Sequence, residues 1–253
     1  MYFAEGGVVT PAGEIELREE HAWHLSRVLR ARPGESIRVI VDGAQELLVS
    51  LSEVSPEVVR GRVVESRPAG GEPAIRIHLL QAIPKGPGMS EVCERAAELG
   101  VHSIWPLTTE RTVPRPATEV AAARRRRWAK VAVEAAQLAG RSLAPEVQEP
   151  MGLEAALERL RSAQPEVQLL VCHRQGAAAP LVDVAFDAHR PAAILIGPEG
   201  GWAEPELRML AAAGATTVSL GPRNLRTVVA GLVALTVLLA RAGELGAPLG
   251  RAG

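Results

Sequence analysis

Three short segments collect the residue types that could do chemistry. Ile196-Gly197-Pro198-Glu199-Gly200-Gly201 closes an apolar run that begins at Ala192. Ser219-Leu220-Gly221-Pro222-Arg223-Asn224-Leu225-Arg226-Thr227 closes a second and runs straight into the apolar stretch Val228 to Ala240. Leu170-Val171-Cys172-His173-Arg174 closes a third. Glycines let backbone approach a ligand closely and leave N–H groups free to donate. A polar, arginine-bearing loop leading into an apolar helix does little for stability and reads as a ligand loop. If each segment ends a strand of one parallel sheet, all three converge where open α/β sheets bind ligands. The spacing is neither GxGxxG nor a Walker motif, so a dinucleotide or ATP reading is weak. His173 alone reads as structural. Glu199 reads as a base or as a cap on a backbone turn.

A second set of residues is basic. Arg111, Arg115, the run Arg124 to Arg127, Lys130 and Arg141 have only Glu110, Glu119 and Glu134 as nearby acids. His21, His24, Arg27, Arg30 and Arg32 form another cluster near the N-terminus. A solvated helix face is the default for a charge run, yet spaced arginines also suit phosphate. The formal net charge is only −1, so any nucleic-acid surface must come from such local clustering.

The elements that must position these groups fall into two textures. Up to about residue 70, period-two alternation (Ile37, Val39, Val41; Leu47, Val49, Leu51; Val59, Val63) predicts half-buried strands. Asp42-Gly43 marks a hairpin. One short helix, His21 to Leu29, interrupts the strands, and a small antiparallel barrel is expected. The Pro- and Gly-rich stretch 67–74 reads as a linker between a domain 1–70 and a domain 74–253. Beyond it, short apolar strands are predicted at Ile75–Ile83, Ile104–Leu107, Val167–Cys172, Ala192–Ile196 and Thr217–Leu220. Helices are predicted at Met89–Leu99, Glu119–Gly140 and Glu204–Ala213, the longest burying Trp128, Val131, Ala135 and Leu138. Strands alternating with helices predict an α/β domain with a parallel sheet.

Of 253 residues, 47% are hydrophobic but only 3% aromatic, so aliphatic side chains must fill the core. Cys93 and Cys172 are far apart and without a CxxC or Cys/His cluster, so neither a metal site nor a disulfide framework is expected. There is no signal-peptide pattern, and the apolar run 228–240 falls short of the ~18 residues of a membrane span. A cytoplasmic protein with no membrane association is expected.

In order and spacing the motifs resemble the RsmE-type 16S ribosomal RNA (uracil-N3)-methyltransferases of the SPOUT class. The matching pieces are His24-Leu25 with Val28-Leu29-Arg30 and Gly34; Lys85-Gly86 with Met89; Glu98-Leu99-Gly100-Val101 with Ile104 and Pro106; Arg111; Gly140-Arg141 with Pro145; and the Ile196–Gly201 and Leu220–Thr227 segments. The resemblance implies a trefoil-knotted, parallel-sheet catalytic domain behind an N-terminal PUA-like β-barrel. It also implies S-adenosylmethionine as cofactor, 16S RNA or the small ribosomal subunit as partner, and a homodimer whose RNA site spans both subunits. Its cofactor site would comprise Leu170, Cys172, His173, Ile196 to Gly201, Leu220, Gly221, Leu225 and Arg226. Arg226 and Glu199 would face the chemistry. His24, Arg27, Arg30, Lys85, Arg111 and Arg141 would face RNA.

The chain departs from that pattern in three places. Gln137-Leu138 stand where the family has Glu-Gln, Val228-Val229 where it has Glu-Thr, and Pro87-Gly88 where it has a charged pair. Two other readings therefore stay open: an RNA-binding scaffold without catalysis, and a SPOUT enzyme acting on a different RNA.

Overall fold

The computed structural model describes residues 2–4, 8–113, 118–174 and 178–246; Arg115 lies outside them. The chain divides into two compact units, 1–72 with 137–143, and 73–136 with 144–253.

The first unit holds β1 (Tyr2–Ala4), β2 (Val8–Val9), β3 (Glu14–Arg18), α1 (Glu19–Trp23), β4 (Ser36–Val41), β5 (Gln45–Val54) and β6 (Val58–Pro68). Its six strands form one mixed sheet in the order β1-β4-β5-β6-β3-β2. The alternating positions Val39, Val41, Leu47, Val49, Leu51 and Val59 share a core with Ile15, Leu17 and Leu25, so the sheet curls around a single interior. Asp42 and Gly43 both have positive φ, 48° and 68°, and the Ala44 N–H donates to the Val41 carbonyl. That is the tight turn whose twist suits a hairpin. The predicted helix 21–29 is α1 continued by a π-helical turn, His24–Val28.

The second unit contains β7 (Ile77–Ala82), α2 (Gly88–Leu99), β8 (Ser103–Thr108), α3 (Thr118–Leu138, whose last two residues fall in the first unit), β9 (Glu146–Val147), β10 (Met151–Gly152), α4 (Leu153–Ala163), β11 (Gln168–Cys172), β12 (Ala179–Pro180), β13 (Ala192–Ile196), α5 (Glu204–Ala212), β14 (Thr216–Ser219) and α6 (Thr227–Arg241). The sheet runs β10-β8-β7-β13-β11-β14-β12, with β9 also on β8. Its ladders are parallel, from Met151 beside Leu107 at one edge to Ala179 beside Val218 at the other. β13 is buried at every position, as a strand covered on both faces must be. Both faces carry an apolar core, one built on Leu79, Ile194 and Leu235, the other on Leu80, Leu195 and Leu157. The helix α4 lies in a stretch that sequence periodicity left unassigned. Within α3, Trp128 and Ala135 are buried, but Leu138, expected on the same stripe, is 87% exposed. The stripe ends a turn before the helix does.

At the amino ends of β7 and β8, His78 is 4% exposed and its Nδ1 lies 2.7 Å from the Ser103 hydroxyl, which also accepts the Trp105 indole N–H. Burial first, then the nearby His102 and Arg76, push the His78 pKa down to about 4 from 6.5. The neutral ring is the folded form, whereas an unfolded chain takes up a proton near pH 6.5. The stability held above pH 6.5 is therefore lost as pH falls towards 4. Denaturant unfolding at pH 7 and pH 5 should show wild type losing about 2 kcal/mol more than His78→Gln, an order-of-magnitude figure from the linkage relation. Equal losses would show that His78 does not titrate on unfolding.

Candidate cofactor and RNA site

The carboxyl ends of β11, β13 and β14 open on a cavity of about 710 Å³, within the range of cofactor pockets. Its wall includes Cys172 and His173 at the end of β11, Ile196 to Gly201 at the end of β13, and Leu220, Gly221, Leu225 and Arg226 after β14. The three strand-end segments thus converge. Leu170 does not join them: it sits two residues inside β11, 3% exposed, paired with Ile194 and Thr216. It belongs to the core, because in a parallel sheet only the last residues of a strand reach the crevice.

Glycine lets this loop pack tightly where it meets its neighbours. A Cβ on Gly197 would meet Trp202 Nε1 at 3.1 Å, and one on Gly200 would meet Arg111 Cβ at 3.2 Å. The loop lies so close to both that an added side chain would have to push its neighbour aside by a few tenths of an ångström. The Trp202 indole N–H donates to the Cys172 carbonyl at 3.2 Å, joining two of the three segments. Burial pushes the half-buried Cys172 thiol up to about 12, so it stays protonated and is no nucleophile at neutral pH.

Hydrogen bonds fix the rim. The Glu199 carboxylate accepts the Lys85 N–H at 3.0 Å. This gives Glu199 a structural task, tying the segment after β7 to the glycine loop. Arg111 Nη1 donates to the Gly200 carbonyl at 2.9 Å and lines the cavity, so its guanidinium is engaged at the glycine loop as well as exposed. Glu206, 8% exposed, accepts from Glu110 N–H at 2.8 Å and Ala203 N–H at 2.9 Å. It links the backbone beside Arg111 to the start of α5. Glu206 was not anticipated, although an acid three residues after a helix N-cap is the spacing of a capping box. Asn224 and Thr227 of the second segment also line the cavity, and so does Trp202, which was not singled out; a lone aromatic residue carries no signal in sequence until the loops are closed.

The side chain of Arg226 is exposed at the cavity wall. Its own backbone is the N-cap of α6, and its carbonyl accepts from Val229 and Ala230 N–H at 2.9 Å. No acid stands in the first turn of α6. Val228 instead packs inward, since a Cβ on Gly88 would meet Val228 Cγ1 at 2.6 Å and Pro84 Cγ at 3.3 Å. Two departures from the family pattern, Gly88 and Val228, therefore face each other, and a small residue makes room for a branched apolar one.

In the first unit Arg27 and Arg30 are exposed, and His24 is half-buried against Tyr2, ring centroids 5.6 Å apart. Arg141 is placed differently from its expected role at RNA. It is 3% exposed, and its Nη2 donates to Glu72 Oε2 at 2.6 Å. Glu72 Oε1 also accepts the N–H groups of Ser142 and Leu143 at 3.0 Å. In the arginine run, Arg125 Nε donates to the Val147 carbonyl at 2.9 Å, which leaves Arg126 and Arg127 as its exposed members. Among the described residues no cluster of His, Cys, Asp or Glu could hold a metal ion, and no helix is long and apolar enough to cross a membrane.

Residues 71–239 match the model of the RNA methyltransferase domain. The ribosomal RNA small subunit methyltransferase E of Synechocystis sp. is 32% identical over 234 residues, which cover 90% of this chain and 75% of that protein. The chain belongs to the small-subunit ribosomal RNA methyltransferase E family. The Bacillus subtilis member is 28% identical, with 91% of each chain covered. The crystal structure of the Neisseria gonorrhoeae member, bound to S-adenosyl methionine, is 28% identical with a TM-score of 0.81, covering 95% of this chain and 98% of that one. The RsmE-type fold is thus present: a SPOUT-like, trefoil-knotted parallel sheet with an N-terminal PUA-like barrel. The cavity lies at the strand ends of that domain.

Proposed function

We propose that this protein methylates N3 of a uracil in 16S ribosomal RNA, using S-adenosylmethionine, as a cytoplasmic homodimer. The observation that carries the reading is the cavity where three strand-end loops meet, walled by a tightly packed glycine loop and bordered by Arg111 and Arg226. The residues fit the cofactor. The 197–201 and 220–225 loops offer backbone and aliphatic surface, and Cys172-His173 closes the side between them. When bound, S-adenosylmethionine supplies an electrophilic methyl group and leaves as a neutral thioether.

What the chain itself must do is present an unstacked uracil in line with that methyl and stabilise the anion left when the N3 proton departs. Positioning alone is worth ~7–11 kcal/mol of such a barrier. Arg226 supplies a fixed cation at the wall, and the amino end of α6 beside it adds a partial positive charge. Glu199 holds the Lys85 segment, and the N3 proton leaves to solvent water. Arg27, Arg30 and Lys85 hold RNA phosphate.

The test is transfer of labelled methyl from S-adenosylmethionine to small-subunit RNA, followed by digestion to nucleosides. The label should appear as 3-methyluridine. Val228→Glu should change turnover by no more than about threefold, since an acid near a helix amino end is worth only ~0.3–1 kcal/mol. It should cost stability, because the carboxylate would enter the apolar contact with Pro84 and Gly88. If wild type transfers nothing and Val228→Glu restores transfer, the family's acid is catalytic and this chain is an RNA-binding scaffold.

A further inference from the structure

The chain has four tryptophans. Trp105, Trp128 and Trp202 are 3–5% exposed; Trp23 is 53% exposed. Five and six residues further on, Val28 and Leu29 are 50% and 54% exposed. Large apolar side chains left together in water mark an interaction surface more often than chance placement. The backbone beneath them is irregular. Trp23 ends α1, a π-helical turn follows, and the Leu29 N–H bonds to the His24 carbonyl at 3.0 Å. Arg30 then adopts a positive φ of 53°, a conformation that a long side chain adopts at a cost. π-Helical turns of this kind cluster at functional sites.

The charge around the patch identifies what it meets. Arg27 is one turn from Trp23, and Arg30 and Arg32 follow; all three are exposed. Among the described residues none of the three guanidiniums pairs with a carboxylate. Of the acids in the same stretch, Glu19 and Glu20 lie on the preceding turn, and Glu35 accepts the Arg32 backbone N–H at 3.0 Å. An exposed indole among unpaired arginines suits a ligand with an aromatic face and phosphates. Single-stranded nucleic acid has both, whereas a duplex hides its base faces in the stack.

We infer that Trp23 is a stacking platform for an unpaired RNA base, with Arg27, Arg30 and Arg32 holding the flanking phosphates. The inference rests on the RNA reading above and adds to it a preference for looped or single-stranded RNA. That preference belongs to the barrel and is independent of methyl transfer.

The experiment measures binding of the full-length protein to a single-stranded ribo-oligonucleotide and to a duplex of the same length, across a range of salt. Trp23→Ala should weaken single-strand binding about 5- to 150-fold, the equivalent of about 1–3 kcal/mol for one stacked base, and should leave duplex binding and the salt slope unchanged. Trp23→Phe should keep most of the affinity. Arg27→Ala should instead lower the salt slope by about one for both RNAs. Trp23 emission should be quenched by the single strand, read as the difference between wild type and Trp23→Phe. Equal affinity of wild type and Trp23→Ala for the single strand overturns the stacking role and leaves the RNA reading standing. So does a loss for Trp23→Ala that appears only as a change in oligomeric mass, which makes the patch a protein contact. If wild type binds neither RNA, both readings fall together.

Discussion

Arg226→Ala should lower methyl-transfer turnover about 10²- to 10³-fold while changing the dissociation constant for S-adenosylmethionine far less. The expectation comes from position. Arg226 is the N-cap of α6, so its backbone is fixed by the carbonyl bonds to Val229 and Ala230, yet its side chain reaches the cavity wall in the open. In the proposed reading the three loops hold the cofactor. The guanidinium is therefore free to act where negative charge builds up, on the uracil as its proton leaves. A donor of that kind acts on the transition state more than on the ground state, so kcat falls and cofactor affinity barely moves. The first turn of α6 contains no acid that would cancel this charge. Arg226→Lys should recover part of the loss, since it keeps a cation without the planar fork. The check is single-turnover transfer beside calorimetric titration of the cofactor. A large fall in cofactor affinity with turnover at saturation unchanged would make Arg226 a cofactor ligand alone.

Much of this site was legible in sequence because its signals are local. Ile196–Gly201 and Leu220–Arg226 each combine an apolar strand with glycine and charge, and the parallel-sheet rule sends both to one edge. Alternation in Val39–Leu51 and the Asp42-Gly43 turn placed the first unit's hairpin for the same reason. What was not legible depends on contacts between distant residues. Leu170 looks like part of a strand-end motif, and only the register against Ile194 shows that it stops short of the crevice. The facing pair Gly88 and Val228 reads as two separate departures from a family pattern until the fold brings them together. Glu206 acts through backbone N–H groups, one of them nearly a hundred positions away, and no periodicity reports that.

Arg141 is the sharpest case, and it carries the last expected result: Glu72→Ala should destabilise the first unit by about 3–5 kcal/mol, as loss of one partner of a buried ion pair does. In sequence, Gly140-Arg141 looks like a phosphate-binding pair and 67–74 looks like a slack linker. In the fold they lock together. The Arg141 and Glu72 side chains are only 4% and 25% exposed, and a Cβ on Gly71 would come within 2.6 Å of the Gly140 carbonyl oxygen. Glu72 neutralises the arginine and accepts the N–H groups of Ser142 and Leu143 at the same time. Its removal takes a carboxylate away from a buried cation and the acceptor away from two backbone N–H groups. Glu72→Gln should lose less, because an amide oxygen still accepts from the backbone. Arg141→Ala should unfold at lower denaturant but keep the salt slope of RNA binding, whereas Arg27→Ala should do the reverse, losing about one from the slope with little change in stability. Denaturant unfolding and salt-dependent RNA titration on the same variants separate the two roles. An Arg141→Ala protein with an unchanged midpoint and a lowered slope would return Arg141 to the RNA surface.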